Sequence, residues 1–163
     1  MSTVWFVVWG LFLTTFAVAA DQGGEAKSGQ DMLIDSKNLN ARLGVENLRV
    51  IDTRSGADYS EGHIPGAINI DVAAWKKLEF DDSQGWAKIV GSLGIQADTH
   101  VVVYGTKLSN AARAWWLLKY VGVEKVSILD GGYTLWTKSH GPITAVTPKV
   151  APVDFTPNFQ SKR

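Results

Sequence analysis

The sequence predicts an α/β domain: a mostly parallel central sheet of about five strands with helices on both faces. Three observations carry that expectation. Strand-like and helix-like segments alternate along the chain, the order that builds parallel sheets with crossover helices. Residues 101–104, Val-Val-Val-Tyr, are apolar throughout, as a strand covered on both faces requires. The helix expected over residues 110–121 carries only Arg113 and Lys119 as charges, so it is buried on more than one side. One side would lie on the sheet, and the other would meet a neighbouring domain or a partner.

Taken in order, residues 32–34 form a short first strand. Asp35 or Ser36 caps a helix to about Leu43, where Gly44 stops it. Residues 48–52 are the second strand, residues 57–60 one helical turn, residues 62–66 a loop and residues 67–70 a further strand. Residues 75–85 are polar and irregular, and a helix over residues 86–93 ends at Gly94. The central strand at residues 101–104 runs into a tight loop at residues 105–109, then into the helix opening near Asn110. Residues 126–129 are the last strand, and Gly131 and Gly132 lead into a short helix ending at Lys138. These segments define one domain over residues 31–141. Residues 142–163 hold Pro142, Pro148, Pro152 and Pro157 and read as an extended tail.

Composition narrows the function. Sixteen basic and sixteen acidic residues give zero formal charge, with no like-charge run to suggest a nucleic-acid partner. There is no cysteine, which excludes disulfides, thiolate catalysis and cysteine metal sites. His63, His100 and His140 are scattered without metal-ligand spacing. Residues 1–20 contain no charged side chain and end Ala17-Val18-Ala19-Ala20, small residues that suit signal-peptidase cleavage. The domain is therefore expected to be exported, periplasmic or secreted. It contacts a membrane only if this segment stays uncleaved as an anchor, since its roughly 17 apolar residues sit at the lower limit for a membrane span. Residues 21–30 are polar and Gly-rich, a flexible linker.

Two motifs point to a family. Leu48-Arg49-Val50-Ile51-Asp52-Thr53-Arg54, followed by Tyr59-Ser60-Glu61-Gly62-His63-Ile64-Pro65-Gly66-Ala67, resembles the first signature of rhodanese domains. Ser127-Ile128-Leu129-Asp130-Gly131-Gly132-Tyr133-Thr134-Leu135-Trp136 resembles the closing signature. The resemblance spans about residues 30–140. It implies sulfane-sulfur transfer through a cysteine persulfide directly after the central strand, a position where this chain has Gly105. A thiolate there would be stabilised by loop amides and a helix N-terminus; glycine supplies no thiol, and the arginine often found near the loop's end is Asn110. The chain thus resembles the non-catalytic N-terminal domain of two-domain thiosulfate sulfurtransferases, with the tail resembling the linker to a second domain. That resemblance implies a catalytic rhodanese domain, in the same or another chain, as partner, and no cofactor.

Several residues admit two readings. Asp52 and Arg54 either bind substrate or form a buried ion pair that fixes the strand end, the second being favoured. His63 is a general base or, preferably, a hydrogen-bonding residue within the Pro65-Gly66 turn. Ser109 is a nucleophile only if a base reaches it, and more readily caps the following helix, alone or with Asn110. Trp115 and Trp116 suit core and interface. The degenerate loop formed by Gly105, Thr106, Lys107, Leu108, Ser109 and Asn110 either joins strand to helix or binds a small sulfur oxyanion. Asp52, Arg54, Glu61, His63, Pro65, Gly66, Asp130, Gly131, Gly132 and Trp136 are expected to be structural. No catalytic residue and no metal site is assigned.

Overall fold

A computed structural model describes residues 32–75 and 77–160. The export signal and linker expected over residues 1–30 lie outside the described residues. The element order is β1 (Leu33–Ile34), α1 (Ser36–Asn40), β2 (Leu48–Asp52), α2 (Gly56–Glu61), β3 (Ala67–Asn69), α3 (Val72–Trp75), α4 (Ser83–Ser92), β4 (His100–Tyr104), α5 (Leu108–Tyr120), β5 (Lys125–Leu129) and α6 (Gly132–Lys138). The five strands form one sheet in the order β1-β5-β4-β2-β3, and every pairing in it is parallel.

Strand period two divides the core between the two faces. Ile51, Val101, Val103, Val126 and Ile128 face one side, where Trp86 and Val90 of α4 and Ala114 and Leu118 of α5 cover them. Leu48, Val50, Val102, Tyr104 and Leu129 face the other, against Leu39 of α1 and Trp136 of α6. Strand order reverses between β2 and β4, so the C-terminal ends of these two strands open a crevice, the usual ligand position of an open parallel sheet. Among the described residues, no helix is long and apolar enough to cross a membrane.

Helix boundaries follow local hydrogen bonding more closely than apolar spacing. Asp35 caps α1 by accepting from the Asn38 amide at 2.7 Å, but the helix closes at Asn40 and residues 41–44 are a turn ending at Gly44 with φ +85°. Ser55 caps α2, accepting from the Asp58 amide at 3.1 Å while donating to the Asp58 carboxylate at 2.7 Å. The expected single turn is therefore a six-residue helix. Asp82 caps α4 and starts it at Ser83, three residues before its first large apolar side chain. The short α3 went unforeseen; the Asp71 carboxylate, accepting from the Ala73 amide at 2.8 Å, organises its start.

The largest departure concerns the tail. It is extended, as its prolines require, yet it lies against the domain. The Val153 amide donates to the Gly91 carbonyl at 3.0 Å, and the Asn158 and Gln160 amides donate to Val121 and Tyr120. Phe155 is buried in the α4–α5 side of the core. Phe159 adds to an aromatic row with Tyr120, Trp116 and Phe80, centroids 5.4 to 5.9 Å apart. The C-terminal end of α5 is thus covered by the chain's own tail. Gly91 is where the tail comes closest: a Cβ there would run into the Val153 carbonyl. Phe155→Ala is expected to destabilise the domain by about 3 kcal/mol, the cost of emptying a buried aromatic site. Urea unfolding checks this, and an unchanged midpoint would mean that the tail contributes nothing to the fold.

Candidate functional site

At the C-terminal end of β2 the chain buries a charge. Asp52 is fully buried, and Arg54 binds it through Nη2 at 2.6 Å and through Nε at 3.0 and 3.1 Å. The Arg54 amide also donates to Asp52 Oδ1 at 2.8 Å. Two tyrosines complete the enclosure. Tyr104, the last residue of β4, donates to Asp52 Oδ2 at 2.6 Å and accepts from the Ile64 amide at 3.2 Å. Tyr133 of α6 lies under the guanidinium, 3.6 Å from ring centroid to Cζ, and donates to the Gly62 carbonyl at 2.9 Å. Arg54 Nη2 donates to that same carbonyl at 2.7 Å. Burial works against the charge on Arg54, but the hydrogen bond and charge of Asp52 more than offset it and raise its pKa. Burial and the Asp52 carboxylate push the Tyr104 hydroxyl well above its ordinary range. The pair is occupied internally: the geometry is that of a strand-end clamp.

The loop after β4 is shorter than expected. Helix α5 starts at Leu108, so the connection is residues 105–107 and Leu108, Ser109 and Asn110 form the first helical turn. Ser109 and Asn110 are therefore not caps. Lys107 holds the cap position with no side-chain cap hydrogen bond. Gly105 is buried, and one side of it is taken by Thr53. A Cβ at this position would stand 2.5 Å from Thr53 Oγ1, which is itself tied to the Tyr104 carbonyl at 2.9 Å. The Gly105 carbonyl accepts from the Tyr133 amide at 3.0 Å. A Cβ on Gly132 would collide with that carbonyl. Glycine at 132, with φ +55°, permits both the backbone conformation and the close approach.

Two cavities flank the loop. One, about 520 Å³, is lined by Thr53, Arg54, Thr106, Lys107 and Asn110 and also by Asp58 and Asp71. The other, about 340 Å³, lies between Leu33, Gly105, Leu108, Ile128 and Gly131. The remaining motif residues hold backbone. His63 is fully buried and stacked on Tyr59, centroids 3.8 Å apart. Its Nδ1 lies 2.9 Å from the Tyr59 carbonyl and Nε2 3.2 Å from the Val146 carbonyl. It therefore bonds to α2 and the tail, not within the Pro65-Gly66 turn. That turn is closed by the Ala67 amide on the Ile64 carbonyl at 2.9 Å, with Gly66 at φ +79°, the Pro-Gly order of a type II turn. Glu61 is exposed at the end of α2, and Asp130 is exposed, with its amide donating to Ile34 at 2.9 Å. Trp136 is fully buried and donates to the Pro142 carbonyl at 3.0 Å. Trp115 donates to the Val126 carbonyl at 2.8 Å, a core role.

Sequence reading passed over Tyr104, Tyr133 and Thr53. A tyrosine closing an aliphatic strand was the available signal, because a buried phenol needs a partner.

A parallel sheet covered on both faces, with a clamp and a glycine loop at its switch point, defines an α/β domain of the strand-end-site class. Residues 35–139 match the rhodanese-like domain family, and the chain belongs to that family. It is 38% identical to the thiosulfate sulfurtransferase of Bos taurus over 107 residues, covering 60% of this chain and 36% of that protein. With the 3-mercaptopyruvate sulfurtransferase of Homo sapiens it shares 34% identity over 139 residues, 79% of this chain and 44% of the relative. It also resembles the solved 3-mercaptopyruvate sulfotransferase SseA of Escherichia coli, with a TM-score of 0.68 and 27% identity. That match covers 80% of this chain and 56% of the other. The chain thus spans less than half the length of the curated relatives it matches.

Two outcomes test the clamp. Asp52→Asn, which leaves the buried guanidinium without its counter-charge, is expected to cost about 3 kcal/mol in urea unfolding; a loss near zero would mean that water reaches the pair. Tyr104 sets a pH dependence at the alkaline end. The native hydroxyl keeps its proton to higher pH than the unfolded chain, so its stabilisation is full below about pH 10 and declines as pH rises past that value. Thermal unfolding between about pH 8 and 11 should show this decline and a shallower one in Tyr104→Phe. Tyr59, raised mainly by its own burial, leaves a residual slope in the variant.

Proposed function

We propose that this chain is a non-catalytic rhodanese domain that packs against a cysteine-bearing rhodanese domain, supplied by the same or another chain. The observation that carries this is Gly105. The position directly after β4 holds no thiol, and a Cβ there would stand 2.5 Å from Thr53 Oγ1. Two features support the partner. The relatives are more than twice the matched length, and beside Gly105 the chain presents an apolar cavity rimmed by exposed Leu33 and Leu108, surface of the sort that partners cover. The uncharged apolar residues 1–20 support an exported domain, periplasmic, secreted or membrane-anchored.

A second reading takes the cavity lined by Thr106, Lys107 and Asn110 as a site for a small sulfur oxyanion. The charge balance argues against it, because Asp52 neutralises Arg54 and both Asp58 and Asp71 line the same space. Calorimetric titration with thiosulfate is expected to give no heat of binding that Lys107→Gln removes.

The purified chain is expected to form no thiocyanate from thiosulfate and cyanide. It should associate with a cysteine-bearing rhodanese domain of the two-domain type, and Leu108→Asp should abolish that association. Turnover by the chain alone, or association indifferent to the variant, would overturn the proposal. Gly105→Cys should remain inactive and cost about 1–3 kcal/mol, the usual penalty of overpacking.

A further inference from the structure

The N-terminal end of the sheet, opposite the glycine loop, carries a second polar cluster. Period two sets His100 of β4 and Ser127 of β5 on one face, and His100 Nε2 lies 3.0 Å from Ser127 Oγ. Both line a cavity of about 510 Å³ between α1, β1 and β5, within the range of small-molecule sites. Its walls divide by chemistry. Ile34, on the same sheet face as Ser127 and Leu129, supplies an apolar side, and Arg42 and Lys125 bring two positive charges.

Charge there is unbalanced. Among the described residues neither Arg42 nor Lys125 is in an ion pair. Asp35 also lines the cavity, held by the Asn38 amide at 2.7 Å and its side-chain Nδ2 at 2.7 Å, so a single carboxylate faces the two cations. His100 responds to this field: burial, then Arg42, then Lys125 hold its pKa below the ordinary value. An open cleft with two cations, a neutral imidazole, a hydroxyl and an apolar residue is complementary to one class of ligand. A guanidinium pairs with planar or tetrahedral oxyanions through parallel N–H donors, and an ammonium adds a point charge.

We propose that this cavity binds a small organic oxyanion, a carboxylate or a phosphate monoester, held between Arg42 and Lys125 beside the His100–Ser127 pair. Its apolar end lies on Ile34. The bound anion offsets the two cations and so raises the His100 pKa, which makes the imidazole a reporter inside the site.

Calorimetry on the full chain with benzoate, phenyl phosphate and neutral benzamide tests this, together with NMR titration of the His100 ring. At least one of the two anions should bind while benzamide does not, and the His100 titration should move to higher pH in its presence. Arg42→Gln and Lys125→Gln should each weaken that anion about tenfold, the loss expected from one charge-assisted hydrogen bond. Lys88→Gln, on α4 at the other face, should change nothing. The NMR arm uses the unaltered chain, so it stands even if a variant folds poorly. No binding of either anion at about 10 mM, equal binding of benzamide, an unmoved His100 titration, or undiminished affinity in either variant would overturn the proposal.

Discussion

A carboxylate with no access to water stands at the end of β2, and the surrounding chain is arranged to satisfy it. Asp52 accepts from Arg54, the Arg54 amide and Tyr104, so no oxygen is left bare. Arg54 in turn reaches the Gly62 carbonyl, and Tyr133 covers its face while bonding to that same carbonyl. Through one pair of charges, β2, β4, the loop before β3 and α6 are held in a single relation. A buried pair of this kind adds little net stability over an apolar core of equal volume. Its contribution is positional, because few arrangements of these elements satisfy every donor and acceptor at once.

That constraint explains why the two motifs, about sixty residues apart, are legible as one structure. Asp52, Arg54 and Gly62 belong to the first; Gly132 and Tyr133 belong to the second. They meet at Gly105, whose carbonyl accepts from the Tyr133 amide and whose neighbour Tyr104 reaches Asp52. The class of fold, the strand positions and the ion pair were readable because each has a local signature: apolar runs, glycine stops, and an Asp-x-Arg at a strand end. What sequence could not supply was set by partners distant in the chain. The start of α5 at Leu108 reflects where the β4 exit is pinned to Thr53 and Tyr133, not any capping side chain. His63 bonds to a carbonyl eighty-three residues on, and α3 depends on the Asp71 carboxylate rather than on apolar spacing. The prolines of the tail announced an extended chain but not the groove between α4 and α5 that receives it.

The glycine loop bears on how such a site changes. Losing a side chain from a loop leaves space, and close packing rarely leaves that space empty. Here Thr53 bonds across to the Tyr104 carbonyl and stands where a Cβ at 105 would go. The chemistry of the loop and the packing of the strand beside it are therefore coupled. A thiol at this position would have to displace a buried hydroxyl that already has its partner, and the β-branched Thr53 has few rotamers to move into.

The two ends of the sheet differ in how their charges are resolved. At the C-terminal end the buried Arg54 has its counter-charge in Asp52, and the acids at 58 and 71 outnumber Lys107 around the adjacent cavity. At the N-terminal end Arg42 and Lys125 stand beside His100 against the single carboxylate of Asp35. A parallel sheet normally directs attention to its C-terminal edge, because helix N-termini and switch points lie there. In this domain the buried guanidinium at that edge is already paired, whereas at the other end two cations face one carboxylate. Zero net charge conceals this asymmetry. The distribution of charge across the fold, and not its sum, decides where an anion would find donors that the protein has not already used.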